Sequence, residues 1–387
     1  MKLKIITIIG LILFLICPLL SCSSPQSSGL DSAVNTATKS YRFSIFRWEV
    51  TSIAGEIKGL FTRKSASVKD TQTVIDYFTG SQQQTLSPAE TDKLRDNVQR
   101  IIGLQLKDIL KQDGVTNPFH GIFGLTFPPV LFELTAPPHL LIISPRDRIF
   151  EIRSILLRQN LTTDQMDKIE TQAEKSGYSA LVVELGGLGA TVPSFVNSQM
   201  SLHDVLNDAA EEWLHQYLAF KPLGFRYALD LLGVSRSQDI ITMNESVAGT
   251  VSQEIGSQVY DKYYKSYFAA PGNQTSVAPA FDFNTAMRQI RQTVDADLAS
   301  GQIDQAEQYM NEQRDYLQTQ GYFIRKLNQA YFAFYGTYAD LPAYTNPIGS
   351  AIQNVRDHSA SLKDFLNRMA SVTSVSELDK LKSKLSP

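Results

Sequence analysis

Cysteine is almost missing from this 387-residue chain: Cys17 and Cys22 are the only two, both near the N-terminus, so the long remainder can hold no internal disulfide. Lysine and arginine clusters interleaved with aromatics are missing as well, and the formal net charge is only −3. A nucleic-acid surface needs a concentrated positive face, so nucleic acid is not an expected partner. Beyond the first 20 residues no apolar run approaches the ~20 residues that a membrane-spanning helix needs, and the body should be soluble. There is no internal repeat and no G-x-S-x-G nucleophile elbow. The run Gly186-Gly187-Leu188-Gly189 lacks the Lys-Ser/Thr of a phosphate-binding loop and reads as a turn closing a strand.

What is present begins with a secretory address. Lys2 and Lys4 precede the apolar run Ile5 to Ile16, which is short for a membrane span and is interrupted at its end by Pro18. Leu19-Leu20-Ser21-Cys22 resembles the lipobox of bacterial lipoproteins. The resemblance implies cleavage after Ser21, acylation of Cys22 and lipid attachment to the extracytoplasmic face of the cell membrane. Residues 1–21 are then a signal peptide, and residues 22–38, rich in Ser, Thr and Ala, a flexible tether.

The rest of the chain predicts an α+β fold, mostly α. An N-terminal helical region covers 39–118, a small sheet with two metal-site helices covers 119–260, and a helical C-terminal lobe covers 261–387. Apolar residues at helical spacing (Phe43, Phe46, Val50, Ile53, Ile57) predict a helix from Tyr41 to Phe61. The capping box Ser87-Pro88-Ala89-Glu90 starts another that runs toward Gly114. Val130 to Leu134 and Leu140 to Ile143, bracketed by prolines, read as short strands. Ser144-Pro145 is expected to open a helix through Ile149, Ile152 and Leu156, and Thr162 or Thr163 to cap one ending near Gly177. Ala180 to Leu185 is the strongest strand signal. Ser201 then starts a helix that ends near Phe220, and a second helix carries Ile240 to Ile255. Helices over 283–298, 302–320 and 322–335 follow, with two shorter pieces after Pro347.

Chemistry concentrates in Glu211-Glu212-Trp213-Leu214-His215 and Asn244-Glu245-Ser246-Val247-Ala248. Residues four apart share a helix face, so Glu211 and His215 can grip one metal ion while Glu212 stands beside it. A catalytic zinc needs three protein ligands, an open position and a nearby carboxylate. Glu211, His215 and Glu245 supply the ligands, and Glu212 the general base. A di-iron bundle would need two Glu-x-x-His motifs and this chain has one, so that reading fails. Arg146 and Arg148 open a segment where charged residues are ordinarily solvated.

The paired motifs resemble those of gluzincin zinc metallopeptidases, including a bacterial group of predicted aminopeptidases, with Glu211 standing where the first His of H-E-x-x-H belongs. The resemblance implies a gluzincin-like fold and hydrolysis of a peptide or protein substrate through a metal-bound water. It also implies that Ala180 to Leu185 is an edge strand to which extended substrates add, and that Tyr331, Tyr335 or Tyr338 stabilises the oxyanion. Two carboxylates and one imidazole make Zn²⁺ a weaker Lewis acid and favour Mn²⁺ or Fe²⁺ relative to the usual set. The alternative is a scaffold that keeps the fold, has lost catalysis, and binds peptide or cell-envelope material without a metal.

Overall fold

The computed structural model describes residues 28–44, 67–80, 86–119, 126–189, 191–231, 237–268, 281–336 and 347–385. Cys22, Tyr338 and most of the expected helix from Tyr41 to Phe61 lie outside them. The described chain is mostly helical, with two three-stranded sheets. Its elements are α1 (Ser28–Thr38), α2 (Thr71–Phe78), α3 (Pro88–Gln112), β1 (Phe132–Leu134), β2 (His139–Ser144), β3 (Arg153–Leu157), α4 (Thr163–Glu174), β4 (Ser179–Glu184), β5 (Gly187–Leu188) and β6 (Ser194–Val196). There follow α5 (Leu202–Leu218), α6 (Pro222–Leu231), α7 (Gln238–Tyr263), α8 (Lys265–Phe268), α9 (Phe283–Ala299), α10 (Ile303–Thr319), α11 (Gln329–Tyr335), α12 (Ile348–Asp357), α13 (Leu362–Met369) and α14 (Val375–Leu385).

The first sheet is antiparallel in the order β3-β2-β4, with Leu141 opposite both Ile155 and Val182. Its central strand is a continuous apolar run because both faces are covered. Leu141, Ile143 and Val182 pack on α1 and α4, whereas Ile142, Leu181 and Val183 pack on Ala330 and Ala333 of α11. Successive side chains point to opposite faces, so alternate residues divide between these two layers.

Three expectations change here. The tether reading of residues 22–38 fails from Ser28 onward: α1 buries Leu30, Val34 and Ala37 against Met166, Ile169 and Ala173. Low overall hydrophobicity hid a stripe of three apolar residues at i, i+4 and i+7, which is enough to dock a helix once a sheet face is available. The helix expected after Ser144-Pro145 is instead β3, because Ile155 and Leu157 alternate toward the α1 and α4 layer when paired with β2. Finally, residues 261–387 do not form one lobe. The hairpin of α9 and α10 has its own core around Ile290, Val294 and Met310, while Ile352, Val355, Phe365 and Leu378 of α12 to α14 join the main core.

The main core is built on α5 and α7, which pack along their lengths and contribute Val205, Leu206, Trp213 and Leu214 from one helix and Val247, Val251, Ile255 and Val259 from the other. Ser201 caps α5 by accepting from the Asp204 amide, and Ser237 caps α7 by accepting from that of Ile240. Trp213 Nε1 donates to the Pro128 carbonyl at 2.8 Å, which satisfies the one polar atom of a buried indole. The second sheet, in the order β1-β6-β5, lies against α5 through β5 and β6.

The β4 edge is not open to a peptide strand. Val182 donates its amide to Glu170 Oε1 at 2.6 Å and its carbonyl accepts from Arg325 Nη2 at 2.9 Å, while Asn328 Nδ2 donates to the Ala180 carbonyl at 2.9 Å. This is why residues 322–328 are not helical as the periodicity suggests: Arg325 and Asn328 reach the strand edge, and α11 begins only after Asn328 caps it. Side chains thus occupy the hydrogen-bonding positions that strand addition would use. Glu170 is nearly fully buried and holds both Arg325 and the Val182 amide. Glu170→Ala is expected to lower the unfolding free energy by about 3 kcal/mol, since it leaves a strand amide unpaired and takes the buried carboxylate from Arg325, which keeps only Asp167 and the Val182 carbonyl. A urea titration should show a lower midpoint with an unchanged slope.

Candidate metal centre

Each member of the centre is placed by a helix. Glu211 and His215 lie one turn apart on α5, and Glu245 reaches them from α7, which is held alongside by the packing of Val247 and Ala248. His215 Nε2 is 3.9 Å from Glu211 Oε1 and 3.5 Å from Glu245 Oε2. One ligand atom from each of the three lies within 4.8 Å of the others. Donors around a tetrahedral zinc stand roughly 3.3–3.6 Å apart, a consequence of metal–ligand distances near 2.0–2.2 Å. The trio is therefore close to a coordinating arrangement and needs only small side-chain rotations.

Two neighbours orient the ligands. The Tyr227 hydroxyl of α6 donates to Glu245 Oε1 at 2.6 Å, and its ring stacks on His215 with centroids 5.6 Å apart. This fixes one carboxylate oxygen of Glu245 and leaves Oε2 toward the imidazole. Asn244 is wholly buried, and its Nδ2 lies 2.9 Å from His215 Nδ1 while its Oδ1 has no hydrogen-bond partner. With the amide turned over, Oδ1 would instead accept from Nδ1–H, and Nδ2 would take the position that has no partner. In the neutral imidazole that arrangement keeps the Nε2 lone pair free toward Glu211 and Glu245, which is the tautomer a metal ligand needs.

The electrostatics are those of a site short of positive charge. Burial opposes a charge on His215, but Glu245, Glu212 and Glu211 outweigh it and lift the imidazole to about 9. In the metal-free protein a proton therefore serves as the cation among the carboxylates. Glu212 is 9% exposed, and burial, with the nearby carboxylates Glu211, Asp208 and Glu245 adding to it, pushes its carboxyl well above the usual range. Its carboxylate lies against the glycine run that forms β5: a Cβ at Gly187 would collide with Glu212 Oε1, and one at Gly189 would stand 2.6 Å from Oε2. Glycine is needed at both positions because the strand backbone closes directly over the side chain. The run, read as a turn after β4, instead holds a strand: Gly187 and Leu188 pair with Val196 and Phe195 of β6, and their backbone walls the site.

Of the residues the motifs singled out, Glu211, His215 and Glu245 lie together, with Glu212 beside them. Tyr331 and Tyr335 go elsewhere, contrary to the role the resemblance implies for them. They contact one another at 4.5 Å on α11 and pack among Ile149, Leu327 and Phe332, or against the first sheet. The site tyrosine is Tyr227, which sequence reasoning missed because α6 was not foreseen. Pro222 in its first turn was the available signal. Compared with known protein families, with characterised proteins and with solved structures, the chain matches none.

Asp208, one turn before Glu212, has an Oδ2 atom shut off from solvent with no hydrogen-bond partner, and burial, reinforced by Asp204, lifts its carboxyl to about 7. The stability cost is absent at low pH, where folded and unfolded chains are both protonated, grows as pH rises from 3.8 to about 7, and is constant above. Asp208→Asn should therefore stabilise chelator-treated protein at pH 8 by on the order of 2–4 kcal/mol and have little effect near pH 4. Thermal melts of the two proteins across that range check it, and equal melting temperatures at pH 8 would contradict a charged, buried Asp208.

Proposed function

We propose that this chain is a metal-dependent hydrolase of peptide bonds with a gluzincin-like arrangement, held on the extracytoplasmic face of a cell membrane by a lipid on Cys22. The observation that carries the catalytic part is the meeting of Glu211, His215 and Glu245 from two helices, with buried Glu212 beside them. The donor set fits a divalent ion: two carboxylates and one imidazole offer hard and borderline ligands, and buried Asn244 contacts the far ring nitrogen, His215 Nδ1. Zn²⁺ suits this set, and Mn²⁺ or Fe²⁺ gain from its second carboxylate. Such an ion, when bound, supplies Lewis acidity and lowers the pKa of water.

The chain's own residues then have distinct tasks. Glu211, His215 and Glu245 hold the ion, Asn244 fixes the imidazole, and Tyr227 fixes the Glu245 carboxylate. Burial holds the Glu212 carboxyl well above its usual range, and a cation held nearby would bring it down toward general-base work. A peptide or protein is the expected substrate. The competing reading, a scaffold without catalysis, draws on Glu211 in place of imidazole and on how completely the β5 backbone covers Glu212.

Zinc titration calorimetry on chelator-treated protein, beside cleavage of a peptide library, separates the two. The parent should bind one zinc per chain, and Glu211→His should bind it at least as tightly because imidazole nitrogen suits Zn²⁺ better than a hard carboxylate oxygen does. Glu212→Gln should keep the metal while hydrolysis falls by about 10²-fold or more, the scale of general-base loss. If neither the parent nor Glu211→His binds zinc, the scaffold reading replaces the enzyme.

A further inference from the structure

We infer that Tyr227 decides which divalent ion the centre prefers: by holding one oxygen of Glu245 it makes that carboxylate a one-atom ligand, and so favours four-coordinate Zn²⁺ over six-coordinate Mn²⁺. The inference rests on the metal-centre reading above and goes beyond it, because the second carboxylate by itself favours Mn²⁺. Two carboxylates can offer up to four oxygens, and an oxygen-rich set with many donor atoms suits an octahedral ion. Zinc at a site with an open position takes three protein ligands, one atom from each. The number of oxygens that Glu245 gives therefore separates the two.

The structure gives the two oxygens different partners. Oε1 accepts from the Tyr227 hydroxyl at 2.6 Å, whereas Oε2 is the oxygen 3.5 Å from His215 Nε2. An ion placed between Oε2 and the imidazole gains Oε1 only if the carboxylate swings off the phenol. Glu245 is 5% exposed, so bulk water does not stand ready to replace the bond that such a swing breaks.

The phenol is also held where it is. Its ring lies on the His215 imidazole with the planes 21° apart, and Asn244 contacts that imidazole from its other nitrogen. The helix that carries Tyr227 is fixed at its start: Leu223 is fully buried and donates its amide to the Ala370 carbonyl at 3.1 Å. Gly224 lies so close to the end of α5 that a Cβ there would stand 2.2 Å from the Leu218 carbonyl. A hydroxyl anchored in this way does not follow a turning carboxylate. Groups that orient a ligand from behind commonly set the affinity and character of a metal site, and here the orienting group acts on the number of donor atoms. A hydroxyl with a purely structural role would affect both ions alike, whereas one that withholds an oxygen changes their ratio.

Calorimetric titration of the chelator-treated full chain with Zn²⁺ and with Mn²⁺, in the parent and in Tyr227→Phe, tests the assignment. Phenylalanine keeps a ring on His215 and removes only the hydroxyl. Zinc binding should weaken by about tenfold, the lower end of what losing an orienting partner costs, while Mn²⁺ binding changes by less than about threefold because Oε1 becomes available to it. The preference for zinc should therefore fall at least about threefold. Equal weakening of both ions, which leaves the preference where it was, overturns the proposal. Cobalt gives a second readout that needs no variant, since four-coordinate Co²⁺ absorbs visible light far more strongly than the five- or six-coordinate ion. The parent should show the intense band and Tyr227→Phe a weaker one; a weak band in the parent overturns the proposal even if the variant does not fold. A parent that binds none of the three ions removes the metal centre itself, whereas binding with an unchanged preference removes only the role of Tyr227.

Discussion

The lengthwise packing of α5 on α7 is the constraint from which the rest of the centre follows. Asn207 and Gly256 show how close the helices come: any side chain at position 256 would strike the Asn207 backbone. At that separation a residue on one helix has no choice but to meet its counterpart on the other. Val247, Val251 and Ile255 make the contact apolar over several turns, and this apolar burial fixes the rotation of α7 about its axis. Glu245 is then turned toward His215 rather than to solvent. The ligand trio depends on core residues that never touch it.

That same packing creates an electrostatic debt that a proton or a metal must settle. Glu211, Glu212 and Glu245 are brought near one imidazole in a region with little water, and of the group only His215 can carry positive charge. Such an arrangement is costly as a purely structural device, since well-packed apolar residues would stabilise the helix pair better than partly compensated carboxylates. The satisfied partners show where order is imposed. Tyr227 and Asn244 restrict Glu245 and His215, whereas Glu211, the most exposed of the three, is set by its helix position.

What was legible in the sequence was local or strictly periodic. Ser87 and Thr162 start helices where their capping boxes put them, and the spacing of Glu211 and His215 guaranteed a common face once α5 formed. The Asn-Glu pair was legible because its partner motif told where to look. Features decided by distant partners were not legible. α1 forms because a sheet face waits for Leu30, Val34 and Ala37; β3 forms because β2 has an edge to pair; residues 322–328 stay irregular because Arg325 and Asn328 are drawn to β4. Tyr331 and Tyr335 looked like site residues by analogy alone, and their burial between the first sheet and the α9–α10 hairpin answers a packing need that no motif expresses.

The edge caps also decide the direction from which the centre can be approached. Glu170, Arg325 and Asn328 occupy the outer hydrogen-bonding groups of β4, so the strand that looked open is closed by side chains. The strand that borders the centre is β5, the outer member of the second sheet, whose only strand partner among the described residues is β6. Gly187 of that strand and its flanking Gly186 and Gly189 bring main chain against Asp208 and Glu212. Main chain, rather than side chain, is therefore what an extended ligand would meet beside the carboxylates, and main chain recognises another main chain without regard to sequence.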